Sequence, residues 1–468
     1  MSRNHGRVVL AKKFAYIKEV LIGIGSGLVA LLLLILGFSV SGGQIAHTSS
    51  PVTLPSSQTS ANASPSASPT GSLARTCSIN AQATDPLLGT FSGVIINSGT
   101  NEVLFNRNAD VPAATASTLK LLTAAAAVQV LGPNYRVETK VYQDPANPGS
   151  IFLVGAGDPT LSRTVPGKQS VYLNAPKLSD LAVGVNAKVG TTPITKITLD
   201  STLFNGPSWE PTWERSEQTQ GFMSEVTALE VDGDRANPGA ETSARSTTPV
   251  ANAGKYFKAA LGASAANATI VQGKVPAGMT QLTSVLSQPI SVWIQHMLLV
   301  SDNTEAEYLA RLVSLKEGMD GSFSSLDAAI KQALSYTNLP SSNLVIKDGS
   351  GLSNLNAVPP TYLAKLAQLI GSGLGNWNVL MNGMPVAHET GSLTDRFGGA
   401  NLDADGKVVA KTGWIKHGYT LAGLIYAKDG TKMVFAVYAL GNVSDSAKGA
   451  IDNLIAAAYR CGNTLSNN

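Results

Sequence analysis

The strongest constraint on the fold is an apolar helical run at residues 116–131, with Ser117 and Lys120 in its first turn. Residues three positions apart lie on the same face of a helix. Because the run is apolar on nearly all sides, it predicts a buried central helix, which ends at Gly132-Pro133. Ser117 would then lie at the helix N-terminus, where free backbone N–H groups favour a developing oxyanion.

The spacing of Ser117 and Lys120 suits nucleophilic catalysis. A serine hydroxyl is a poor nucleophile until a base takes its proton. A lysine can be that base when burial or a neighbouring cation lowers the pKa of its ammonium group. Taken alone, the pair is more typical of a surface lysine one turn after a serine, so the interpretation depends on what else the chain contains.

Two further motifs follow in order along the chain. A Ser-Asp-Asn motif at 301–303 comes directly after the apolar stretch 290–300, and a Lys-Thr-Gly motif at 411–413 ends the strand-like stretch 407–410. Beyond them the sequence predicts strands at 419–426 and 433–440, an Asp-Gly hairpin turn at 429–430 and an amphipathic helix at 445–459. The order of the motifs, each in a suitable local context, favours a catalytic interpretation.

This ordered set resembles the penicillin-recognising serine enzymes, which are the penicillin-binding proteins and serine β-lactamases. Three stretches are similar to the class C low-molecular-mass penicillin-binding proteins, the D-alanyl-D-alanine carboxypeptidase/endopeptidases: Gly-Asp-Pro-Thr-Leu at 157–161, Asp-Gly-Ser-Gly-Leu-Ser at 348–353 and Gly-Ser-Leu at 391–393. The resemblance extends from about residue 74 to residue 461. It implies an α+β chain with the β-lactamase/DD-peptidase (transpeptidase-like) fold and an inserted, β-rich accessory region.

The resemblance also implies a role for each motif residue. Ser117 attacks the carbonyl of the penultimate D-alanine of a muropeptide, Lys120 accepts the proton, and Ser301 relays it to the leaving D-alanine. Lys411 attracts the terminal carboxylate and helps to lower the pKa of Lys120 by like-charge repulsion. β-Lactams would be trapped on the same serine. The implied catalytic residues are Ser117, Lys120, Ser301 and Lys411, and the implied substrate-binding residues are Asn303, Thr412, Gly413 and Trp414.

One position departs from the family pattern. Many relatives have Ser or Thr directly after Lys-Thr-Gly, which gives a hydroxyl for the substrate carboxylate, whereas this chain has Trp414. The backbone N–H of Trp414 can still form an oxyanion hole with that of Ser117, and its indole can wall the pocket. The usual hydroxyl contact to the carboxylate is therefore missing at this position.

The chain is expected to be an enzyme, and two alternatives stay open. One is a catalytically silent peptidoglycan-binding protein that keeps the fold, although such a protein has no need of Lys120. The other is a β-lactamase, although no Glu-x-x-Leu-Asn motif follows residue 301. Carboxypeptidase and endopeptidase action differ only in the amine side of the cleaved bond, so the sequence leaves both possible.

The N-terminal 73 residues have the composition of a membrane anchor followed by a tether. Residues 1–19 are basic, residues 20–40 are uncharged and long enough to span a bilayer, and residues 41–73 are rich in Ser and Pro without a charged side chain. The positive charges place residues 1–19 in the cytoplasm. We therefore expect a single-pass protein of the bacterial cell membrane with its catalytic domain on the cell-wall side; the alternative is a secreted enzyme after signal cleavage.

The rest of the chain divides around the predicted insertion. Residues 74–134 and 285–468 are expected to form the DD-peptidase domain, and residues 135–284 the inserted accessory region. Alternation of polar and apolar residues at 135–154 and 194–204 predicts half-exposed strands there. The insertion would shape access to the site, or serve a purely structural purpose.

The cysteine and histidine patterns narrow the chemistry further. Cys77 opens the folded region and Cys461 closes it. Because the resemblance implies that the two ends lie close together, we expect a disulfide, with free thiols as the alternative.

No histidine belongs to a spaced ligand set, so no metal and no cofactor is expected. His296 is expected to be a satisfied histidine that packs on an apolar face. With a net charge of +3 the chain shows no nucleic-acid bias. The expected partners are peptidoglycan muropeptides, β-lactam antibiotics and the cell membrane.

Overall fold

The computed structural model describes residues 75–467. The predicted cytoplasmic segment 1–19, transmembrane helix 20–40 and linker 41–73 lie outside the described residues. Within residues 75–467, no helix combines the length and the apolar character needed to cross a membrane.

The main body of the described chain groups its strands and helices in separate runs, as is typical of an α+β fold. The strands are β1 (Cys77–Ser78), β2 (Thr90–Asn97), β3 (Val103–Arg107), β4 (Glu138–Asp144), β5 (Asn147–Val154), β6 (Lys196–Asp200), β7 (Thr269–Gln272), β8 (Thr280–Leu286), β9 (Val408–Ile415), β10 (Gly418–Tyr426), β11 (Lys432–Leu440) and β12 (Leu465–Ser466). The helices are α1 (Asn80–Ala83), α2 (Lys120–Val130), α3 (Leu178–Val189), α4 (Ser216–Gln220), α5 (Pro249–Leu261), α6 (Ile290–Val300), α7 (Asn303–Lys316), α8 (Leu326–Leu334), α9 (Pro360–Gly371), α10 (Trp377–Gly383) and α11 (Ser446–Cys461).

The main sheet is built on the antiparallel order β11-β10-β9, and β2 lies beside β11. Side chains of a strand alternate between its two faces. Met433, Phe435 and Val437 of β11 accordingly pack with α11, whereas Val434 and Ala436 pack with the helices on the other face. Both faces are covered, which explains why β10 and β11 are almost continuously apolar in sequence.

The central helix is shorter than the run that predicts it. Residues Ala116–Leu119 form a 3₁₀ turn, and the α-helix extends over Lys120–Val130. The helix ends just before Gly132, whose φ of 82° an α-helix cannot accept. Its side chains are buried from Lys120 to Val128, so the predicted buried central helix is confirmed with its first turn tightened.

The inserted region contains a five-stranded sheet of order β7-β6-β5-β4-β8. β5, β6 and β7 are parallel to one another, and β4 is antiparallel to β5 and β8. Parallel neighbours need long crossover connections, and α3 and α5 provide them, packing in one cluster with the sheet. The region is therefore mixed α/β, a difference from the β-rich expectation, and its last strand extends to Leu286.

A second part of the inserted region packs into the main body. Trp209, Trp213, Met223 and Val226 are buried in the same hydrophobic cluster as the central helix. Only the sheet with α3 and α5 has a core of its own. The loop-rich residues 201–248 are consequently part of the wall around the predicted catalytic motifs.

The two ends of the described chain are joined. β1 pairs in parallel with β12, and a disulfide links Cys77 to Cys461. The predicted disulfide is thus present in the structure. It ties the start of the folded region to the end of α11, which packs on the main sheet.

Candidate active site

The predicted motifs meet in a cleft of about 690 Å³ between β9, the 301–303 segment and the loops of the inserted region. Six of the eight motif residues line it: Ser117, Ser301, Asn303, Thr412, Gly413 and Trp414. The other two, Lys120 and Lys411, are fully buried. The structure therefore brings together all eight residues that the sequence singled out.

Ser117 lies on a strained turn ahead of the central helix. The preceding residue, Ala116, has a left-handed φ of 46°, which is rare for a residue with a Cβ atom. Two contacts hold this turn. The hydroxyl of Thr420 donates to the carbonyl of Thr115 at 2.7 Å, and Gly351 approaches so closely that a Cβ atom there would lie 1.9 Å from the Ala116 carbonyl oxygen. Nothing in the local sequence signals this conformation.

The ammonium group of Lys120 connects the first two motifs. Its Nζ donates to Ser117 Oγ at 2.8 Å, to Asn303 Oδ1 at 2.6 Å and to the backbone carbonyl of Ser350 at 2.8 Å. Burial lowers the pKa of Lys120 to about 8, although the nearby carboxylates of Asp348 and Glu307 act in the opposite direction. A lysine with this pKa gives up its proton far more readily than an exposed one, as a general base must.

The loop 348–353 aims the Ser350 carbonyl at Lys120. Glu307, fully buried, accepts hydrogen bonds from the backbone N–H groups of Gly349 at 2.9 Å and Ser350 at 2.7 Å. Asp348 accepts from the indole N–H of Trp213 at 2.8 Å. The loop carries a recognisable motif, whereas Glu307 does not, because a single glutamate in a helix that also contains Glu305 and Arg311 looks like an ordinary charged residue in sequence.

The 301–303 segment separates two helices. Helix α6 ends at Val300, Ser301 has a left-handed φ of 67°, and Asn303 begins α7. Asp302 caps α7, since its Oδ1 accepts from the backbone N–H of Glu305 at 3.0 Å. The Nδ2 of Asn303 donates to the carbonyl of Phe222, in the inserted region, at 3.0 Å.

Lys411 and Thr412 form the floor and rim of the cleft on β9. Lys411 donates to the Thr412 carbonyl at 2.9 Å, and the Thr412 hydroxyl lies 2.6 Å from that of Ser392. Burial, together with the charge of Lys120, lowers the pKa of Lys411 well below its ordinary value. Burial is the largest cause of the lowered pKa of Lys120, and the repulsion between the two lysines contributes to the lowered pKa of Lys411.

Gly413 and Trp414 complete this wall. A Cβ atom on Gly413 would lie 2.2 Å from Thr420 Oγ1 and 2.9 Å from the backbone nitrogen of Ser117, so only glycine lets β9 run this close to the serine. The Trp414 indole is 45% exposed and meets the Phe222 ring edge-to-face at 6.1 Å across the cleft. The indole thus forms part of the wall, as expected.

One grouping of potential metal ligands exists within residues 75–467. His296, Asp302 and Glu305 bring ligand-type atoms within 4.8 Å of one another. Each is already engaged in an ion pair: His296 Nδ1 with Glu305 Oε2 at 2.7 Å, and Asp302 with Arg235 at 2.5 Å. Although burial opposes it, Glu305 and neighbouring carboxylates raise the pKa of His296 to about 11. His296 is therefore a satisfied histidine that packs edge-to-face on the Tyr172 ring, but its surroundings are a charged network and not the apolar face that was expected.

Comparison with known proteins identifies the family. The family described as "D-Ala-D-Ala carboxypeptidase 3 (S13)" matches residues 76–242 and 235–460. A carboxypeptidase of Mycobacterium tuberculosis is 33% identical over 393 residues, which cover 83% of this chain and 84% of the relative. The carboxypeptidase DacB of Mycolicibacterium smegmatis is 31% identical over 388 residues, with 81% and 82% covered.

The fold has a solved counterpart. Penicillin binding protein 4 of Haemophilus influenzae superimposes with a TM-score of 0.70 at 20% identity, covering 81% of this chain and 98% of that chain. The same protein in complex with a β-lactam superimposes with a TM-score of 0.64, with 83% and 99% covered. The predicted α+β fold of penicillin-binding proteins and β-lactamases is thereby confirmed.

Fold and site together define a serine-type D-Ala-D-Ala carboxypeptidase, a hydrolase of the class C low-molecular-mass penicillin-binding protein type. The chain belongs to the D-Ala-D-Ala carboxypeptidase 3 (S13) family. The resemblance and the enzymatic function predicted from the three motifs are confirmed.

Proposed function

We propose that the protein cleaves the terminal D-Ala-D-Ala bond of peptidoglycan stem peptides through an acyl-enzyme on Ser117. The observation that carries this assignment is the position of Lys120 Nζ, fully buried and 2.8 Å from the serine hydroxyl at the base of the cleft. Ser117 Oγ forms a bond to the carbonyl carbon of the penultimate D-alanine, and its proton passes to neutral Lys120. The carbon–nitrogen bond then breaks.

Ser301 acts on the leaving group of the reaction, and Asn303 on the substrate backbone. The proton held by Lys120 reaches the nitrogen of the departing D-alanine through the hydroxyl of Ser301, and the Asn303 amide binds the substrate backbone. Water then attacks the ester carbonyl, which releases the shortened stem peptide and returns the proton to Ser117. Ser301 and Asn303 both line the cleft, opposite β9.

The oxyanion that forms during attack is bound by two backbone N–H groups. We assign these to Ser117 and Trp414, because Gly413 lets β9 pass directly beside the serine. Removal of a single oxyanion donor typically costs about 3 kcal/mol of transition-state stabilisation. Trp414 therefore keeps a catalytic role for its backbone although its side chain has no hydroxyl.

The terminal carboxylate of the substrate is proposed to bind at Lys411, Thr412 and Ser392. The hydroxyls of Thr412 and Ser392 are 2.6 Å apart at the rim of the cleft, so both can donate to one carboxylate. Ser392 thus supplies the second hydroxyl that is missing after Gly413. The carboxylate would also give the buried Lys411 a counter-charge.

β-Lactams would acylate Ser117 in the same way, as the β-lactam complex of the Haemophilus protein suggests for a protein of this fold. The test uses labelled penicillin and the purified residues 74–468. We expect one covalent adduct on the peptide that contains Ser117 and none in Ser117→Ala. Labelling that survives this substitution contradicts the assignment.

Carboxypeptidase and endopeptidase action are distinguished by the substrate. We propose that both free D-Ala-D-Ala termini and cross-linked muropeptides are cleaved, since the two bonds share the D-alanine carbonyl. Incubation with defined monomeric and cross-linked muropeptides, followed by mass spectrometry, measures each rate. An intact cross-link after complete loss of terminal D-alanine would restrict the enzyme to carboxypeptidase action.

We propose that residues 20–40 anchor the protein in the bacterial cell membrane and that residues 41–73 hold the catalytic domain on the cell-wall side. The support is the uncharged stretch, which Arg and Lys side chains precede and which no Lys or Arg follows before Arg75. Membrane fractionation and N-terminal sequencing test this proposal. A mature protein that begins near residue 42 and is found in the medium would instead show a secreted enzyme.

A further inference from the structure

The Ser-Asp-Asn motif is tied to the inserted region by a buried ion pair. Arg235 Nη2 lies 2.5 Å from Asp302 Oδ2, and both side chains are only 2% exposed. Arg235 Nη1 also donates to the hydroxyl of Tyr172 at 2.6 Å, and the guanidinium lies over the Tyr172 ring at 4.8 Å from its centroid. Arg235 and Tyr172 both come from the inserted region, whereas Asp302 belongs to the main body.

Asp302 is the residue between the two that face the substrate. One of its carboxylate oxygens accepts from Arg235, and the other caps helix α7 by accepting from the N–H of Glu305. The carboxylate is therefore fixed at both oxygens. Ser301 has a left-handed φ of 67°, a conformation that persists in a residue with a Cβ atom only when its surroundings impose it.

Stability alone is a weak explanation for this pair. Burying two charges costs desolvation energy that their attraction repays only partly, and apolar replacements of such pairs are often neutral. The pair instead fixes a geometry: Asn303 must present Oδ1 to Lys120 at 2.6 Å and Nδ2 to the Phe222 carbonyl at 3.0 Å. A rotation of the 301–303 segment would disturb both contacts.

We propose that Arg235 is a positioning residue for catalysis: through Asp302 it fixes the orientation of Ser301 and Asn303, so the inserted region sets the geometry of the reacting groups. This proposal rests on the roles assigned above to Ser301 and Asn303. Misplacement of reacting groups by about 1 Å can cost a factor of about 100 in rate. Arg235 and Asp302 also line the cleft, so kcat and KM must be compared to separate positioning from contact with the substrate.

The experiment compares three variants with the wild-type protein. Arg235→Met removes the charged partner of the buried Asp302 carboxylate, to which the Tyr172 hydroxyl still donates at 3.3 Å. Arg235→Lys keeps the charge but loses the planar guanidinium that reaches both Asp302 and Tyr172. Arg235→Met/Asp302→Asn removes both charges, while the amide oxygen can still cap α7. For each, kcat and KM on a D-Ala-D-Ala peptide, the rate constant of acylation by a β-lactam and the unfolding temperature are measured.

We expect Arg235→Met to lower kcat and the acylation rate constant by at least about tenfold with a smaller change in KM. Arg235→Lys should fall between this variant and the wild type, and the double variant should recover part of the loss. The matched control is Arg460→Met, which removes an arginine of α11 that pairs with Asp403 and does not line the cleft. It should leave kcat within about twofold.

Two outcomes would overturn the proposal. If Arg235→Met and Arg235→Lys lower only the unfolding temperature, with kcat and acylation unchanged below it, the pair is purely structural. If they raise KM alone, Arg235 supports substrate binding and not the geometry of the reacting groups. Loss of labelling in Ser117→Ala is measured separately, so failure of the proposed nucleophile would be recognised independently of this result.

Discussion

The pH dependence of Ser117 acylation should report the ionisation of Lys120. Burial lowers the pKa of this lysine from an ordinary value of 10.5 to about 8. The neutral amine is the form that accepts the serine proton, so the rate must increase as the pH rises through the pKa of Lys120. The difference between the two pKa values corresponds to about 3 kcal/mol in favour of the neutral amine inside the protein.

The size of the effect follows from the fraction of neutral lysine. With a pKa of about 8, about 9% of Lys120 is neutral at pH 7, against about 0.03% for an ordinary lysine. Burial thus supplies about 300 times more of the reactive form at that pH. Acylation should rise about tenfold per pH unit well below pH 8 and level off above it.

The assay measures the second-order rate constant of acylation by a chromogenic cephalosporin between about pH 5.5 and about pH 9.5. Ser117→Ala controls for reaction elsewhere. Lys120→Arg keeps a cation that cannot be deprotonated in this range and should lose at least a factor of about 1,000 at the plateau. A rising limb near the ordinary lysine pKa, or full activity of Lys120→Arg, would show that burial does not prepare this lysine as the base.

Three further predictions concern single features of the structure. The disulfide joins residues that are 384 positions apart, and the chain-entropy model gives roughly 6 kcal/mol as the upper limit of its stabilisation. The variant Cys77→Ala/Cys461→Ala should therefore unfold at a lower temperature, with unchanged acylation at 25 °C. Alkylation of two cysteines in the unreduced, denatured wild type would contradict the bond. Gly413→Ala would place a Cβ atom 2.2 Å from Thr420 Oγ1 and should slow acylation by at least about tenfold; a wild-type rate would show that β9 can move away from Ser117 without cost. Ser392→Ala should lower kcat/KM about tenfold for a peptide with a free terminal carboxylate but not for its C-terminal amide, and Ser392→Thr should restore it; equal losses on both substrates would exclude carboxylate binding by Ser392.

Local sequence signals predicted the elements that carry the motifs. The Asp-Gly pair at 429–430 joins β10 and β11 as expected, because Gly430 has a φ of 85° that this turn requires. The apolar run around residue 120 predicted a buried helix. Its side chains are apolar on every side because every face of the helix is covered. Such signals act within a few residues, so they can be recognised without knowledge of the fold.

The remaining features depend on partners far away in sequence. The left-handed conformation of Ala116 is held by Gly351 and Thr420, and neither contact leaves a mark on residues 115–118. Arg235 and Glu307 look like ordinary charged residues in sequence; their importance comes only from burial against Asp302 and against the loop 348–353. Alternating strands also predicted a β-rich insertion, because periodicity does not distinguish antiparallel pairs from the parallel strands that α3 and α5 connect.

The inserted region has a larger part in the site than its position between two motifs suggests. Lys120 is fixed by two acceptors besides the serine, the Asn303 side chain and the Ser350 carbonyl. Each acceptor lies on a segment that is held by the inserted region: Arg235 pairs with Asp302, and Trp213 donates to Asp348. A change in how residues 201–248 pack would therefore move both acceptors of the base at once. Several residues of this segment, Phe222 and Arg235 among them, also line the cleft, so the segment contacts both the cleft and the segments that carry the two acceptors of the proposed base.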